Sequence, residues 1–396
     1  MSGTDESSMI PQEQPCATCM GRKIFSIGLP ACTNPSERRF PLTPEAVKIL
    51  VERGFRVCLQ EGAAASIHYT DNQYLRAGAE VADRNSALGC DIVIHLAAPA
   101  AADVRKMRRG AMLMTLLHAE SQDPEAIRQL LDRRIIAIAV DLIEDEHGNT
   151  PFADILAEID GRASLAVASS LLADGTRGKG ILLGGISGII PCETTIIGSG
   201  ISACAAARSA IGLGSTVKMF DNDVYRLRRA SMSLGPWAIT SAIHPKVVES
   251  ALRSADVVVV TPTAEPFRID SDLVDTMKKG VLAFDLSSAS GDAFPSLKAV
   301  DLARASALNA ADLSHGRLCF VNAGSAVART AAMALSNTFI SLMSSIISCE
   351  GAVNALKLQP GIQRATYTFF GKVVNAAIGR AAGMRHTDIS IYLTLS

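Results

Sequence analysis

The stretch from Thr194 to Asp223 limits the possible folds of this chain more than any other part of the sequence. It combines a β-branched run, a glycine-rich turn, a helical run of small residues, a second strand and an acidic residue. These parts are the strand Thr194 to Ile197, the turn residues Gly198, Gly200 and Ala203, the helix Cys204 to Ile211, the strand Thr216 to Phe220, and Asp221. A lone G-x-G-x-x-A pattern closes tight turns in many loops, but this order of elements predicts a Rossmann-type unit.

Each residue of the turn has a physical role if a dinucleotide binds there. Gly198 permits the tight turn from strand to helix, and Gly200 lets the backbone approach a pyrophosphate. Ala203 is small enough for the helix and the strand to pack closely. The phosphates would then bind the unpaired amides at the helix N-terminus.

Asp221 ends the second strand about 20 residues after the turn, where a carboxylate can accept hydrogen bonds from both ribose hydroxyls. A 2'-phosphate would be repelled at this place, which predicts NAD rather than NADP as the cofactor. The nearby cations Arg226, Arg228 and Arg229 act against that preference, and we include Arg226 among the candidate cofactor-binding residues.

Composition excludes several classes of protein. The 396 residues suggest two or three domains, and 48% hydrophobic content suffices for sizeable cores. Because 38 Lys and Arg nearly balance 39 Asp and Glu, no charge excess indicates a nucleic-acid or membrane partner. The sequence has no apolar run of about 18 residues and no signal-peptide pattern, so we predict a cytoplasmic protein.

Nine cysteines scattered over a long chain do not form the pattern of a disulfide framework. Cys16 and Cys19 form a C-x-x-C pair, which can hold metal or perform redox chemistry, but no second ligand pair follows. We interpret both as reduced thiols and predict no metal site.

The rest of the chain alternates predicted strands and helices, which is typical of α/β proteins. We predict two doubly wound units, with a Rossmann NAD-binding domain inserted in a flavodoxin-like substrate domain. The predicted bounds are a disordered tail at 1–22, a substrate domain at 23–155 and 326–396, and a Rossmann domain at 156–325. Six strands are expected in the inserted unit.

Two such units enclose a cleft, and side chains just after their strands line it. On this rule the candidate site residues are Arg39, His95, His118, Asp221, Ser287 to Ser290, and Asn322.

Several segments resemble the alanine dehydrogenase family, which shares its fold with the NAD-binding part of proton-translocating transhydrogenase. They are ERRFPLTPEAV (Glu37 to Val47), YLRAGAEV (Tyr74 to Val81), GKGILLGGISGI (Gly178 to Ile189), GSGISA, VKMFDND and NAGSAVARTAA (Asn322 to Ala332). The resemblance implies NAD, a homo-oligomer that is often a hexamer, and oxidation of L-alanine to pyruvate and ammonium.

The resemblance also implies roles for single residues. Arg39 falls on the arginine that binds the substrate carboxylate, a task suited to a guanidinium fork. His118 falls on the histidine proposed as acid or base, and an imidazole pKa of about 6.5 suits proton transfer. Asn322 falls on the asparagine near nicotinamide and substrate.

Two positions depart from the family pattern. The lysines expected before Pro99 are replaced by His95 and Ala97, and the aspartate of the I-D-x-G-G motif is replaced by Ala289. His95 could assist at the substrate carbonyl in place of lysine. Asp285 or Asp292 could replace the carboxylate, although we interpret Asp285 as a structural cap.

Structural interpretations compete with these roles. His118 and His95 are each compatible with a place in the core, and Arg39 is compatible with an ion pair to Glu37.

Our first hypothesis for the function is an NAD-dependent, alanine dehydrogenase-like oxidoreductase of small 2-amino acids. The alternatives are a catalytically impaired NAD-binding protein on the same fold, motivated by Ala97 and Ala289, and a transhydrogenase-like hydride carrier.

Overall fold

The computed structural model describes residues 24–117, 122–288, 290–304, 316–349 and 352–394. The predicted tail with Cys16 and Cys19, the candidate His118, and Ala289 lie outside these ranges.

Six parallel strands begin the first sheet. They are β1 (Ser26–Leu29), β2 (Arg56–Gln60), β3 (Glu80–Ala82), β4 (Ile92–Ile94), β5 (Met112–Thr115) and β6 (Ile136–Ala139). Their order across the sheet is β3-β2-β1-β4-β5-β6, so the order reverses between β1 and β4. A reversal of this kind opens a crevice at the carboxyl ends of the two central strands.

The second sheet contains seven parallel strands. They are β7 (Glu193–Ile197), β8 (Thr216–Phe220), β9 (Ala238–Ser241), β10 (Val257–Val260), β11 (Leu282–Asp285), β12 (Lys298–Asp301) and β13 (Leu318–Val321). The order is β12-β13-β11-β10-β7-β8-β9, with the reversal between β7 and β10. The six predicted strands are present, but the predicted number was wrong, because the sheet also contains β12. This edge strand has two exposed residues and lacks the apolar run expected of a buried strand.

The chain then returns to the first sheet. Strands β14 (Thr366–Phe369) and β15 (Lys372–Val373) add to it beside β6 and are antiparallel, which completes eight strands in the order β15-β14-β6-β5-β4-β1-β2-β3. The second sheet is thus inserted between two parts of the chain that build the first. This architecture confirms the predicted fold class, two doubly wound units with one inserted in the other.

Helices cover both sheets. They are α1 (Pro44–Glu52), α2 (Asp71–Arg76), α3 (Arg84–Leu88), α4 (Ala101–Lys106), α5 (Pro124–Asp132), α6 (Pro151–Ala173), α7 (Ile201–Gly212), α8 (Val224–Leu234), α9 (Pro245–Ser254), α10 (Ser271–Thr276), α11 (Ala323–Ala326), α12 (Ala328–Ser348), α13 (Ala352–Leu358), α14 (Pro360–Ala365), α15 (Ala376–Ala381) and α16 (Ile389–Thr394).

Local sequence explains where several helices begin. The Thr43 hydroxyl and the Asp123 carboxylate cap α1 and α5, each followed by a proline whose fixed φ suits the first helical position. Asp223 caps α8 by accepting a hydrogen bond from the backbone N–H of Arg226. These caps fix the chain directions as it leaves the strands.

Helix α6 links the two units. Phe152 and Leu156 near its start belong to the core of the first unit, where Phe152 packs on Phe339 of α12 with ring centroids 4.8 Å apart. Leu165 and Leu172 near its end belong to the core of the second unit. A residue in the middle of α6 therefore lies where the two units meet.

Candidate active site

The glycine turn follows β7, as predicted. Gly198 has φ +101°, a conformation that L side chains rarely adopt, and its N–H donates to the Phe220 carbonyl at 2.7 Å. A Cβ at Gly198 would stand 2.1 Å from Oγ1 of Thr261, the residue after β10. Glycine is therefore required here by both conformation and space.

The next two residues of the pattern, Gly200 and Ala203, lie at the N-terminal end of α7. A Cβ at Gly200 would meet nothing within 4 Å, so the N-terminus of α7 is open to an approaching group. Ala203 is fully buried in the core of the second unit. Gly161 of α6 also faces α7, and a Cβ there would meet the Ser202 carbonyl at 2.1 Å. The open N-terminus and its unpaired amides fit the pyrophosphate of a dinucleotide.

Asp221 follows β8 and is 2% exposed. Its Oδ2 accepts from the Ser199 hydroxyl at 2.6 Å, and its Oδ1 accepts from the backbone N–H of Asp223 at 3.0 Å. Each oxygen retains a lone pair for a further donor, such as a ribose hydroxyl. Arg226 lies one turn into α8 with its Nε 3.5 Å from Asp223 Oδ2 and is 41% exposed. The Asp221 carboxylate is thus held in place by contacts within the second unit.

Arg39 lies in the loop between β1 and α1. Its Nε and Nη2 donate to the two carboxylate oxygens of Glu37 at 2.8 and 2.5 Å, and its backbone N–H donates to Glu37 Oε1 at 2.9 Å. Burial by itself would lower the pKa of Arg39, but the charge and hydrogen bonds of Glu37 outweigh it and raise the pKa. The guanidinium is therefore firmly cationic, and the pair leaves Nη1 unused by Glu37.

Asn322 directly follows β13. Its backbone is left-handed, with φ +57°, a region that asparagine tolerates better than most residues. Its Nδ2 donates to Asp301 Oδ1 at 2.9 Å. This bond fixes the side chain beside the edge of the second sheet.

Two cavities bring these residues together. One, of about 170 Å³, is lined by Arg39, Asp160, Asp285, Leu286, Ser287, Ser288, Asn322, Ala323 and Ser325. The other, of about 270 Å³, is lined by Arg39, Leu116, Asp141, Ala153, Leu156, Ala157, Asp160, Ser202, Pro262 and Leu286. Because Arg39 and Leu116 come from the first unit and Ser202 and Pro262 from the second, these cavities lie in a cleft between the units.

The sequence analysis missed two carboxylates in this cleft. Asp160 of α6 lines both cavities and accepts from the Gly324 N–H at 2.7 Å. Burial raises the pKa of Asp160, while Arg39 and the Gly324 N–H act in the opposite direction. Asp141, just after β6, accepts from the Leu117 N–H at 2.9 Å. A strand end could have indicated Asp141, but the role of Asp160 depends on the path of α6.

His95 directly follows β4 but does not belong to the lining of either cavity. It is 7% exposed, and its Nδ1 lies 2.8 Å from the Ala97 carbonyl oxygen. Its Nε2 is buried and has no hydrogen-bond partner within the described ranges. Burial lowers the pKa of His95, which favours a neutral ring. Ala97 itself is 1% exposed, so its methyl group belongs to the core.

The residues after β11 are largely engaged with one another. Asp285 Oδ1 accepts from Ser287 N, Ser287 Oγ and Ser288 N, and its Oδ2 accepts from Ala293 N at 3.0 Å. Asp292 accepts from the Ser288 hydroxyl at 2.9 Å. The contacts of Asp285 are those of a carboxylate that caps a turn.

Within the ranges that the structure describes, there is no group of three or more His, Cys, Asp or Glu residues that could hold a metal ion. In the same part of the chain, no helix is both long and apolar enough to span a membrane.

The fold and the cleft define a class, an oxidoreductase that uses NAD(H) bound on an inserted Rossmann unit. The glycine turn fits that cofactor, since Gly200 leaves room for the pyrophosphate and Asp221 offers a carboxylate to the ribose. The chain belongs to the alanine dehydrogenase/PNT family. The profile described as "Alanine dehydrogenase/PNT, N-terminal domain" matches residues 28–159, and "Alanine dehydrogenase/PNT, C-terminal domain" matches residues 164–376. The predicted family is thereby confirmed.

Known relatives span nearly the whole chain. Alanine dehydrogenase 2 of Staphylococcus aureus (strain N315) is 28% identical over 378 residues, covering 94% of this chain and 100% of that protein. Alanine dehydrogenase of Staphylococcus haemolyticus (strain JCSC1435) is 27% identical, covering 92% and 98%.

Solved structures show the same architecture. An L-alanine dehydrogenase superposes with a TM-score of 0.79 at 25% identity and covers 90% of this chain and 98% of its own. A transhydrogenase from Sinorhizobium meliloti superposes with a TM-score of 0.73 at 19% identity, covering 88% and 100%, and its likeness concerns the fold alone.

Proposed function

We propose that the chain catalyses the NAD-dependent oxidation of L-alanine, or of a similar small 2-amino acid, to the 2-oxo acid and ammonium. The cavity of about 270 Å³ supports this most directly, because Arg39 of the first unit and Ser202 at the start of α7 line it together. A substrate held by Arg39 therefore lies beside the helix whose N-terminus receives the dinucleotide.

The size of the cleft favours a small substrate. The two cavities measure about 170 and 270 Å³, whereas sites for drug-sized ligands occupy roughly 300–1,000 Å³. Three- and four-carbon amino acids match this space better than aromatic or long-chain ones.

Arg39 would hold the substrate carboxylate. Glu37 fixes the plane of the guanidinium through Nε and Nη2, so Nη1 is presented in a defined direction. A fixed fork loses less conformational entropy on binding an anion than a mobile side chain does. Asn322, held by Asp301, lines the same cavity and would donate a hydrogen bond to the substrate or the nicotinamide, or accept one from them.

The remaining catalytic assignments stay predictions. His118, with its position outside the described residues, is proposed to move the proton. His95 is proposed to assist at the carbonyl, although its ring nitrogen Nδ1 already faces the Ala97 carbonyl and the side chain is not among the lining residues of either cavity. NAD, when bound, supplies the acceptor for the hydride.

The test is NADH formation from NAD and a panel of small L-amino acids, together with calorimetric titration of NAD. Arg39→Lys keeps the charge next to Glu37 but loses the fork, so KM should rise at least about tenfold with NAD affinity unchanged. Arg128→Ala, an exposed guanidinium 3.6 Å from Glu125, is the control and should behave as wild type. Wild-type protein that turns over no amino acid or 2-oxo acid would refute the proposal.

A protein that binds NAD without turnover is the second candidate. It is favoured by the buried methyl group of Ala97 and by the pairing of Arg39 with Glu37. Loss of an acid-base group costs about 100- to 10,000-fold, so two losses could silence the reaction. Tight NAD binding with no turnover in either direction would establish this candidate, and hydride transfer between two nucleotides alone would establish a transhydrogenase-like carrier.

We also propose a homo-oligomer, with a hexamer expected from the family resemblance, in a cytoplasmic setting. The segment after α6 exposes several large apolar side chains, which a partner surface would bury: Ile181, Leu182, Ile186, Ile189 and Ile190. Light scattering of the purified chain measures the mass directly, and a monomer would contradict this proposal.

A further inference from the structure

Asp160 is a carboxylate of the cleft with one hydrogen bond to a protein group within the described residues. It lines both cavities beside Arg39, at the middle of α6, where the two units meet. Its Oδ1 accepts from the Gly324 N–H, and a Cβ at Gly324 would stand 2.3 Å from that oxygen, so the carboxylate fits tightly against α11. Within the described part of the chain, Oδ2 makes no hydrogen bond to another protein group.

The two other carboxylates of the cleft are engaged in holding loops. Both oxygens of Asp285 accept hydrogen bonds from the turn after β11. Asp141 accepts from the Leu117 N–H and ties β6 to the end of β5. Within the described ranges, Asp160 therefore has one oxygen, Oδ2, without a protein hydrogen bond, and this oxygen is available to a molecule in the cavity.

The surroundings of Asp160 favour an ammonium group as its partner. The charged groups that face it are Arg39 and Glu37 from the loop after β1, Asp141 after β6, and Asp285 after β11. Arg39 is the cation in this set, and Glu37 already takes two of its donors. A second positive charge between Arg39 and Asp160 would be stabilised by the remaining carboxylates.

We propose that Asp160 is a catalytic residue of this site, binding the ammonium group of a 2-amino acid whose carboxylate lies on Arg39 and accepting the proton that its nitrogen releases. The inference rests on the proposed function and deepens it, since it names the residue that binds the ammonium group of the substrate and takes up its proton. The hydroxyl of a 2-hydroxy acid would carry no charge to offset the carboxylates of the cleft.

The reaction balances with this assignment. The Cα–H bond breaks, its electron pair leaves with the hydrogen to NAD, and the ammonium nitrogen gives one proton to Asp160 as the carbon–nitrogen double bond forms. Asp160 then loses this proton to solvent and is a carboxylate again. Water adds to the carbon, one of its protons passes to nitrogen through Asp160, the second follows as the carbon–oxygen double bond forms, and the nitrogen leaves as ammonium. The amino acid is oxidised by two electrons, which leave with the hydride, and the net proton released is the one given to solvent.

The variant that tests this is Asp160→Asn. Its amide oxygen can still accept the Gly324 N–H, so the tight contact with α11 is kept, but the amide cannot take up a proton. Glu158→Gln is the matched control, because it removes one negative charge from the same helix at an exposed position paired with Arg162.

We expect Asp160→Asn to lower kcat/KM for the amino acid at least about 100-fold. NAD affinity by calorimetry should stay within about threefold, and pyruvate should bind the NADH complex as well as or better than before, because it has no ammonium group. Activity of the wild type should fall as the pH drops through the raised pKa of Asp160, and the variant should lack that acidic limb. Glu158→Gln should match the wild type in all of these measurements.

The activities of the wild type and of Asp160→Asn together distinguish a failure of the inference about Asp160 from a failure of the proposed function. If the wild type is active and Asp160→Asn stays within about threefold of it, the inference about Asp160 is wrong and the proposed function stands. Loss of NAD affinity in Asp160→Asn would also overturn it, since the residue would then be structural. If the wild type binds NAD but turns over no amino acid, both the proposed function and this inference are overturned.

Discussion

Gly198 and Gly200 lie two residues apart in one turn, and we expect a substitution by alanine to have a different effect at each position. At Gly198 the backbone has φ +101°, and an added Cβ would stand 2.1 Å from Thr261 Oγ1. At Gly200 the backbone is extended, with φ −75°, and an added Cβ would meet no protein atom within 4 Å. Gly198→Ala should therefore destabilise the fold, and Gly200→Ala should spare it.

The magnitude for Gly198→Ala follows from two costs. A left-handed conformation costs an alanine about 1–2 kcal/mol. Displacing the Thr261 hydroxyl would also break the 2.9 Å hydrogen bond that it donates to the Ile197 carbonyl, which contributes about 1 kcal/mol. We expect the free energy of unfolding of the second unit to fall by about 2–3 kcal/mol, and its melting temperature by roughly 5–10 °C.

For Gly200→Ala we expect a melting temperature near that of the wild type and NAD affinity at least about tenfold weaker, which is about 1.4 kcal/mol. The physical reason is that the methyl group occupies the space through which the pyrophosphate approaches the amides of α7. Calorimetric titration with NAD and a thermal melt of the apoprotein measure the two effects separately.

Gly212→Ala is the control for both variants. It lies at the other end of α7 with nothing within 4 Å of an added Cβ, and alanine in a helix is about 1 kcal/mol better than glycine. It should bind NAD normally and melt no lower than the wild type. If Gly200→Ala binds NAD as tightly as the wild type, the phosphates do not approach this turn, and the assigned cofactor site is wrong.

Three further changes give separate tests. Asp221→Ser should shift the ratio of NAD to NADP affinities toward NADP about tenfold in calorimetry, whereas Ser199→Ala, which removes only a partner of that carboxylate, should leave the ratio unchanged. Burial lowers the pKa of His95, so below about pH 6.5 the unfolded chain binds a proton that the folded chain does not, and stability is lost as the pH falls. Denaturation at pH 7 and pH 5 should show a smaller loss for His95→Asn than for the wild type, and an equal loss would contradict this. Gly161→Ala should lower the melting temperature by several degrees, because its Cβ would meet the Ser202 carbonyl at 2.1 Å, and an unchanged melt would show that α6 can move away from α7.

The parts of the fold that local sequence determines were predicted closely. Thr216 to Phe220 forms β8 as predicted, because a β-branched and apolar run between turn residues leaves little alternative. Strand β12 was missed, since it is a short edge strand with exposed residues and lacks a strong pattern. Its pairing is decided by the neighbouring strand, which a single sequence does not show.

The sequence indicated residues of the cleft where they follow strands. Asn322 directly follows β13 and Arg39 lies in the loop after β1; both line the cleft, and their roles stay predictions. Asp160 was not found, because it lies in the middle of a helix, where an aspartate is usually a solvated surface residue. Its proposed role depends on its place in the cleft, where it accepts a hydrogen bond from Gly324, a residue 164 positions away, because α6 crosses between the two units.

The pair of Arg39 and Glu37 shows why the two interpretations of Arg39 are compatible. From the sequence, an ion pair with Glu37 and a role in binding substrate were alternative interpretations of Arg39, and the structure contains the ion pair. Yet Glu37 engages Nε and Nη2 only, and Arg39 still lines both cavities. Among the described residues, Glu37, Asp141 and Asp160 lie around Arg39, so a ligand bearing both a carboxylate and an ammonium group would meet a charge of opposite sign at each end. The ion pair with Glu37 is therefore compatible with the proposed binding of an amino acid by Arg39.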